Sequence, residues 1–234
     1  MKNLARLITP LLLIPAALPA AVLLNQPLAF VDGRSSTVAG PTTGFKTYER
    51  FTLAQSANIN RITFIGAFAD FTNTANNPVN PSGDNWNFEV TADNAGNPGS
   101  VTDSDSLAFA SVQQTLLGNS TLSGQPVRVY SFTADLANPL FVAGGQTAWL
   151  SIFSTAANLD PRFAWLSGSG GDGVSKQLFL SNGAFTAYTD RAVTLEGEFV
   201  PEPGTFVLLG AGALLLGIYR RGTSTQIFSY FNRR

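Results

Sequence analysis

The sequence predicts an all-β protein: an antiparallel β-sandwich, jelly-roll-like, with about nine strands. An N-terminal signal helix and a single C-terminal hydrophobic helix are expected to flank it. Three observations favour this fold class. Short runs alternate apolar and polar residues with the period of two that a half-buried strand requires. Clusters of Gly, Asn, Asp, Pro and Ser separate these runs, and between the two terminal segments there is no amphipathic helical stripe longer than two turns.

The composition fits one medium domain with signals at both ends. The chain has 234 residues, of which 44% are hydrophobic and 12% charged, against a typical charged fraction of about 25%. It contains no Cys and no His, which excludes disulfides, zinc sites with His or Cys ligands, Cys nucleophiles and Ser-His-Asp triads. Residues 25–200 hold eight basic and fourteen acidic residues, a net charge of −6. This acidity argues against a nucleic-acid partner, because phosphate contacts require a basic patch.

Residues 1–24 are predicted to be a signal peptide. Lys2 and Arg6 form a positive n-region, residues 7–17 form an apolar h-region, and small residues follow. Cleavage after Ala20 and cleavage after Ala21 both remain open, as does an uncleaved N-terminal anchor. In each case we expect export through the Sec translocon. Residues 25–44 are predicted to form a variable N-terminal segment.

The ectodomain is predicted to span residues 45–199. A typical strand is Arg61-Ile62-Thr63-Phe64-Ile65, in which alternation places Ile62 and Phe64 on one face. TAWLSIFS is more uniformly apolar and suits a central strand. The predicted strands are, in order, Phe51-Thr52-Leu53, INRITFIGAF from Ile59, NWNFEVTAD from Asn85, SLAFASVQQT from Ser106, VRVYSFTAD from Val127, TAWLSIFS from Thr147, RFAWL from Arg162, QLFLS from Gln177 and AVTLEGEF from Ala192.

An uncharged apolar run near the C-terminus, residues 205–219, is predicted to be a transmembrane helix. Its 15 residues would measure about 22 Å as a helix, which is short of the ~30 Å hydrocarbon core. Pro201-Glu202-Pro203 precedes it as a stiff, extended connector, although a plain linker remains the alternative. Arg220 and Arg221 follow it, as the positive-inside rule requires of a cytoplasmic flank. Residues 223–234 are then a cytoplasmic extension.

This order of motif, short helix and arginine pair over residues 200–222 resembles the PEP-CTERM sorting tail of Gram-negative bacteria. The resemblance implies that Pro201, Glu202 and Pro203 are recognised by an exosortase, a membrane protease, and that Arg220 and Arg221 stop the membrane segment. It further implies an exported, inner-membrane-anchored precursor that then reaches the cell surface or the extracellular matrix, where it associates with exopolysaccharide. The strand order also resembles the β-sandwich ectodomains often found before such tails.

The ectodomain itself is predicted to be non-enzymatic, with no catalytic residue. Glu196 and Glu198 lie two apart on one strand, but a pair of solvated carboxylates on an outer sheet face is the simpler interpretation. The alternative function is a secreted carbohydrate-binding module that uses exposed aromatic side chains. Trp86 follows a loop at residues 80–85 and is expected to be the most exposed of the three tryptophans, with core packing as the competing interpretation.

No cofactor is expected; a structural calcium ion is the alternative to ordinary turn chemistry. Asp84, Asp93, Asp103 and Asp105 lie in Asp- and Asn-rich segments that could supply hard oxygen ligands. Ordinary turn chemistry explains the same residues equally well, because Asn and Asp cap their own backbone. The glycine-rich SGSGGDGVS from Ser167 lacks a Walker-type ending and is interpreted as a flexible surface loop.

Overall fold

The computed structural model describes residues 20–201, which fold into fourteen β-strands and two single 3₁₀ turns, Thr74–Asn76 and Phe109–Ser111. The strands are β1 (Ala21–Gln26), β2 (Leu28–Ser35), β3 (Thr37–Gly40), β4 (Thr43–Thr52), β5 (Ala57–Ala69), β6 (Asn85–Asn94), β7 (Asn97–Ala108), β8 (Gln113–Leu122), β9 (Gln125–Val142), β10 (Thr147–Thr155), β11 (Arg162–Gly168), β12 (Ser175–Phe179), β13 (Ala184–Tyr188) and β14 (Val193–Phe199).

The strands form two seven-stranded sheets. In the first sheet, β5 pairs with β9 along one edge. Along its other edge it pairs first with β14 and then with β11. The outer strands are β8 beside β9, β1 beside β14 and β2 beside β11. The second sheet has the order β13-β12-β4-β3-β10-β6-β7, and β4 also pairs directly with β10. All of these pairs are antiparallel except β3 with β10.

Aromatic rings from both sheets meet in the main core. Phe64 of β5 stacks on Phe132 of β9 with ring centroids 5.1 Å apart. Trp86 of β6 meets Phe64 edge-on at 4.9 Å and Phe163 of β11 edge-on at 4.8 Å. Such pairs contribute about 0.5–1.5 kcal/mol each beyond the area they bury, so this cluster joins the two sheets.

A smaller apolar cluster covers the second half of β5. Ala67, Leu122, Val129 and Leu166 are buried together there, with Leu28 of β2 packed against them. This cluster explains why β5 loses its alternation after Ile65: from Gly66 to Ala69 every residue is buried. A strand that is buried on both faces has a continuous apolar sequence in place of alternation.

The predicted fold class is confirmed in its main feature, since the described residues are all-β and form two sheets. The strand number is larger than expected. The structure adds β2 and β3 within residues 25–44, and it places residues 21–24, assigned to the signal peptide, in β1. The run from Ser106 is not one strand, because the turn at Phe109–Ser111 divides it between β7 and β8.

The two predicted helices lie outside the described residues, apart from the overlap of the signal segment with β1. Within residues 20–201 no helix is long and apolar enough to cross a membrane.

Trp86 was expected to be exposed, and this expectation is wrong: its exposed fraction is 0%. Trp86 lies in phase with Phe88 and Val90 on the inner face of β6, and all three belong to the main core. Trp149 and Trp165 are also fully buried. None of the three tryptophans can therefore serve as a glycan-stacking surface in the folded domain.

Replacing Trp86 with alanine is expected to lower the free energy of unfolding by about 3–5 kcal/mol, because it removes the ring between the sheets. Trp86→Phe should cost less: the indole nitrogen has no hydrogen-bond partner within residues 20–201, so only area is lost. Urea unfolding of both variants measures the difference. Phe30→Ala, at a half-exposed ring, is the control, and an equal effect of Phe30→Ala and Trp86→Ala would contradict the assignment.

Candidate functional site

The chain leaves the sandwich at the end of β14. Phe199 is the last residue of that strand and pairs with Ala57 of β5. The next backbone N–H, from Val200, donates to the carbonyl of Ser56 at 2.8 Å. Pro201 is exposed and is the last residue that the structure describes. The remaining residues of the predicted tail, including Glu202, Pro203, Arg220 and Arg221, lie outside the described part of the chain.

The start of the folded domain lies beside this exit. β1 runs antiparallel to β14, and Ala21 is paired with Gly197. Gly197 also stands at a β-bulge against β5, where a Cβ atom would lie 1.9 Å from the carbonyl oxygen of Asn58. Only glycine allows so close an approach of the two backbones. Both ends of the folded domain therefore emerge together.

We call this end of the sandwich the exit end and define it by Ala21, Pro201, the loop at residues 53–56 and the turn at residues 143–146. The loop and the turn are joined, since Gly145 N donates to Leu53 O at 2.8 Å and Gly144 N to the hydroxyl of Ser56 at 3.0 Å. Neither segment contains a charged residue. The loop and the turn thus form an uncharged, hydrogen-bonded part of the exit end, with the exposed Glu198 nearby on β14.

A buried carboxyl group ties β1 to the second sheet. Glu49 of β4 is fully buried; its Oε1 accepts from the side-chain amide of Gln26 at 3.0 Å and its Oε2 from the backbone N–H of Arg191 at 2.8 Å. Burial raises the pKa of Glu49 from 4.5 to about 9, since loss of hydration outweighs the two N–H donors. Burial therefore favours the protonated carboxyl group over the ionised one.

Arg191 is the second buried ionisable group of this network. Its guanidinium donates to the carbonyl of Thr189 at 2.8 Å, the hydroxyl of Ser175 at 3.1 Å and the carbonyl of Trp165 at 3.2 Å. Burial lowers the pKa of Arg191 to about 10, so it stays cationic at neutral pH. The network thus connects both sheets at the point where β14 begins.

The glycine-rich stretch after Ser167 is held by this same region. The carboxylate of Asp190 accepts the backbone N–H groups of Gly171 at 3.0 Å and Gly173 at 2.7 Å. Asp172 pairs with Arg50 at 2.7 Å. A loop interpreted from the sequence as flexible is therefore fixed at three points.

The aspartates proposed as calcium ligands accept hydrogen bonds from other parts of the chain. Asp93 accepts from the indole nitrogen of Trp149 at 2.8 Å and from Gly96 N at 3.0 Å. These donors hold the pKa of Asp93 below its usual range, with the Gly96 bond the larger cause. Asp84 lies apart, before β6, where its backbone bonds to Thr155 and Phe109.

Asp103 and Asp105 bridge β7 to β9 of the other sheet. Asp103 accepts the backbone N–H of Phe141 at 2.8 Å, and Asp105 accepts that of Ala137 at 2.8 Å and the side-chain amide of Asn138 at 3.0 Å. These bonds satisfy backbone N–H groups in the second half of β9, which β8 does not reach. Within the described residues, no three Asp or Glu side chains are grouped closely enough to hold a metal ion.

The structure does not bring Glu196 and Glu198 into a pocket. Glu196 lies 3.6 Å from the guanidinium of Arg61, which also pairs with Asp135. Glu198 is exposed and is the second-last residue of β14, before the exit. This arrangement is that of surface carboxylates.

Residues 199–221 match the family model of the PEP-CTERM protein-sorting motif. The chain carries a PEP-CTERM sorting tail. The match begins at the last residue of β14, so the PEP-CTERM tail starts where the sandwich ends. It identifies an exported protein that is sorted through its C-terminus and implies processing by an exosortase, a membrane protein. A comparison with curated proteins finds no match to the chain.

The raised pKa of Glu49 predicts a pH-dependent stability. A folded-state value above the unfolded one means that the contribution of Glu49 is complete below about pH 4.5 and is lost as the pH rises toward 9. Glu49→Gln keeps the shape and cannot ionise, so its free energy of unfolding should fall less between pH 5 and pH 9 than that of the wild type. Urea unfolding at several pH values tests this, with Glu198→Gln as the exposed control. Equal pH slopes for the wild type and Glu49→Gln would show that Glu49 is ionised in the fold.

Proposed function

We propose that the protein is a non-enzymatic surface or matrix protein. Its signal peptide delivers it across the inner membrane, its PEP-CTERM tail holds it there as a precursor, and an exosortase then releases it to the cell surface or the extracellular matrix. The observation that carries this proposal is the continuity of β14 with the tail. No flexible linker separates the last paired residue, Phe199, from the Pro-Glu-Pro motif.

The exit end fits a position at the membrane surface. Only residues 202–204 separate Pro201 from the apolar run that begins at Thr205. Four residue steps span at most about 14 Å, so a tail held in the bilayer keeps the exit end close to the headgroups. Charged groups facing the low-dielectric boundary would be costly. The absence of charge from residues 53–56 and 143–146 supports this orientation.

The position of β1 bears on the signal peptide. Residues 21–26 pair with β14, so cleavage after Ala20 leaves that strand whole. Cleavage further along would remove residues that bond to the strand leading into the tail. The pairing of β1 with β14 therefore favours, within this proposal, a mature N-terminus at Ala21 beside the C-terminal exit.

The non-enzymatic role is supported by where the acidic residues lie. The carboxyl groups closest to a catalytic pattern, Glu196 and Glu198, line an open strand face beside Arg61. The buried Glu49 is enclosed among backbone and amide donors. Association with exopolysaccharide is part of the proposal, but it cannot use Trp86.

Processing should depend on Glu202. Glu202 stands between two prolines directly after the last residue that the structure describes, and it is the charged residue of the Pro-Glu-Pro motif. Glu202→Gln is expected to leave the precursor uncut at the inner membrane, whereas Glu198→Gln, the same change four residues earlier on β14, should be processed as the wild type is. Mass spectrometry of the C-terminus of the exported protein measures both. An exported surface form that retains Arg234 would contradict exosortase processing.

The orientation at the membrane can be tested because the chain has no cysteine. Gln55 and Thr42 are exposed beyond opposite ends of β4, about 30 Å apart by strand rise. With full-length protein in phosphatidylcholine vesicles, a fluorophore on Gln55→Cys should be quenched by spin-labelled headgroups, and one on Thr42→Cys should not. Equal quenching at both positions would contradict the orientation. Failure of the protein to float with the vesicles would instead contradict the membrane-held tail.

A further inference from the structure

β8 forms an open edge of the first sheet. On one side it pairs with β9, from Gln113 opposite Thr133 to Leu122 opposite Gln125. On its other side, no backbone segment within residues 20–201 is hydrogen-bonded to it. β2 and β8 both contribute to the smaller apolar cluster, through Leu28 and Leu122, but no strand pairing joins them. The outward N–H and C=O groups of β8 are therefore free to pair with another chain.

β8 also lacks the features that usually protect an edge strand. Charged side chains, prolines and a short length all discourage pairing with another chain. Among the other edge strands within residues 20–201, β7 contains Pro98 and two aspartates, and β2 contains Asp32 and Arg34. β1 and β13 have only six and five residues. β8 has ten residues, with neither a charged residue nor a proline.

Two exposed leucines lie at the middle of this edge. Leu116 is 54% exposed and Leu117 is 52% exposed. The register against β9 shifts between Leu116 and Gly118, so the two leucines flank a bulge. Their neighbours Thr115 and Asn119 are exposed and uncharged. The centre of the open edge is therefore an apolar surface, which pairing with another strand would cover.

The chemistry of the edge favours a second copy of this chain as the partner. Residues 25–200 carry a net charge of −6, so two copies repel each other over most of their surface, and an uncharged edge lets them approach with the least repulsion. Antiparallel pairing of a strand with its own copy is isologous, so each free donor and acceptor meets its complement. Because Leu116 and Leu117 lie mid-strand, the same pairing brings the leucines of both copies together.

We propose that β8 pairs antiparallel with β8 of a second copy, which continues the first sheet from one molecule into the next. The proposal rests on the matrix role proposed above and names a partner for it. The dimer would be held by backbone hydrogen bonds along the edge and by contacts between the leucines at its centre.

The geometry of this pair couples it to release from the membrane. Leu116 is opposite Tyr130, which is opposite Gly66 of β5. Gly66 lies about 30 Å by strand rise from Ala57 at the exit end. Antiparallel pairing turns one copy over, so the two exit ends point in opposite directions. Two tails in one bilayer hold both exit ends at the same surface, so the pair forms only after cleavage.

Sedimentation equilibrium of the full-length chain in detergent micelles tests the interface. The wild type should dimerise, and Leu117→Lys should weaken the association about tenfold or more, because it places two like charges in the paired edge. Val101→Lys makes the same change at a side chain of β7 that is 51% exposed, and it should leave the dimer unchanged. Circular dichroism and thermal unfolding should show that both variants keep the fold, since both side chains are exposed.

Spin labels on single cysteines test the direction of the pairing, because the chain has no cysteine of its own. In micelles, labels on Asn119→Cys should lie within about 25 Å of each other, whereas labels on Gln55→Cys should lie about 60 Å apart. In dilute phosphatidylcholine vesicles that each carry many copies, the Asn119→Cys labels should give no short distance. A short distance there would contradict the dependence on release.

The proposal is overturned if the chain stays monomeric, if Leu117→Lys and Val101→Lys have equal effects, or if both label positions give short distances. Association through the membrane tail alone would be recognised because Leu117→Lys would not weaken it. These outcomes are independent of sorting, since the measurements use purified protein. A chain that is processed normally but stays monomeric would keep the proposed sorting and lose the assembly edge.

Discussion

β14 forms an antiparallel ladder with β5 that runs from Val193 opposite Phe64 to Phe199 opposite Ala57, and the rest of the molecule is arranged around it. β5 is the central strand of its sheet, with β9 along its other edge. The inner-face residues Ile62, Phe64 and Leu195 of the two strands belong to the main core. The last strand of the domain is therefore among its most deeply embedded elements, although it leads directly into the sorting tail.

The buried network explains how both terminal strands stay in place. Gln26 ends β1, Arg191 precedes β14, and both donate to Glu49 of the opposite sheet. Hydrogen bonds in a low-dielectric interior are strong, and an unpaired partner there is costly. If either terminal strand frayed, Glu49 would lose one of its two hydrogen-bond donors. This network and the β5 ladder together fix the strand that leads into the sorting tail.

The alternation of side chains predicted the sandwich and several of its strands. The same alternation also indicates that Trp86 and Glu49 are buried, which the sequence-based interpretation missed. Trp86 alternates in phase with Phe88, which indicates burial more strongly than its nearness to a loop indicates exposure. Glu49 shares its phase with Phe51 and Leu53, so a charged residue at an inner position was visible in the sequence. The aspartates could not be assigned in this way, because their partners are distant backbone groups; Phe141, the partner of Asp103, is 38 residues away. β2 and β3 mix polar and small residues, and they form strands because the neighbouring strands offer them free edges.

Only Val200 separates β14 from the sorting motif, and this limits how a protease can reach the motif. A protease that acts near Pro201 must approach a segment whose preceding residue, Val200, is bonded to Ser56. Melting the end of β14 to lengthen that segment would break the ladder to β5, so access to the motif is coupled to the stability of the last strand. Under the proposed function, cleavage after this strand would free a domain whose fold does not depend on the tail, because the described bonds that fix β14 all lie before residue 201.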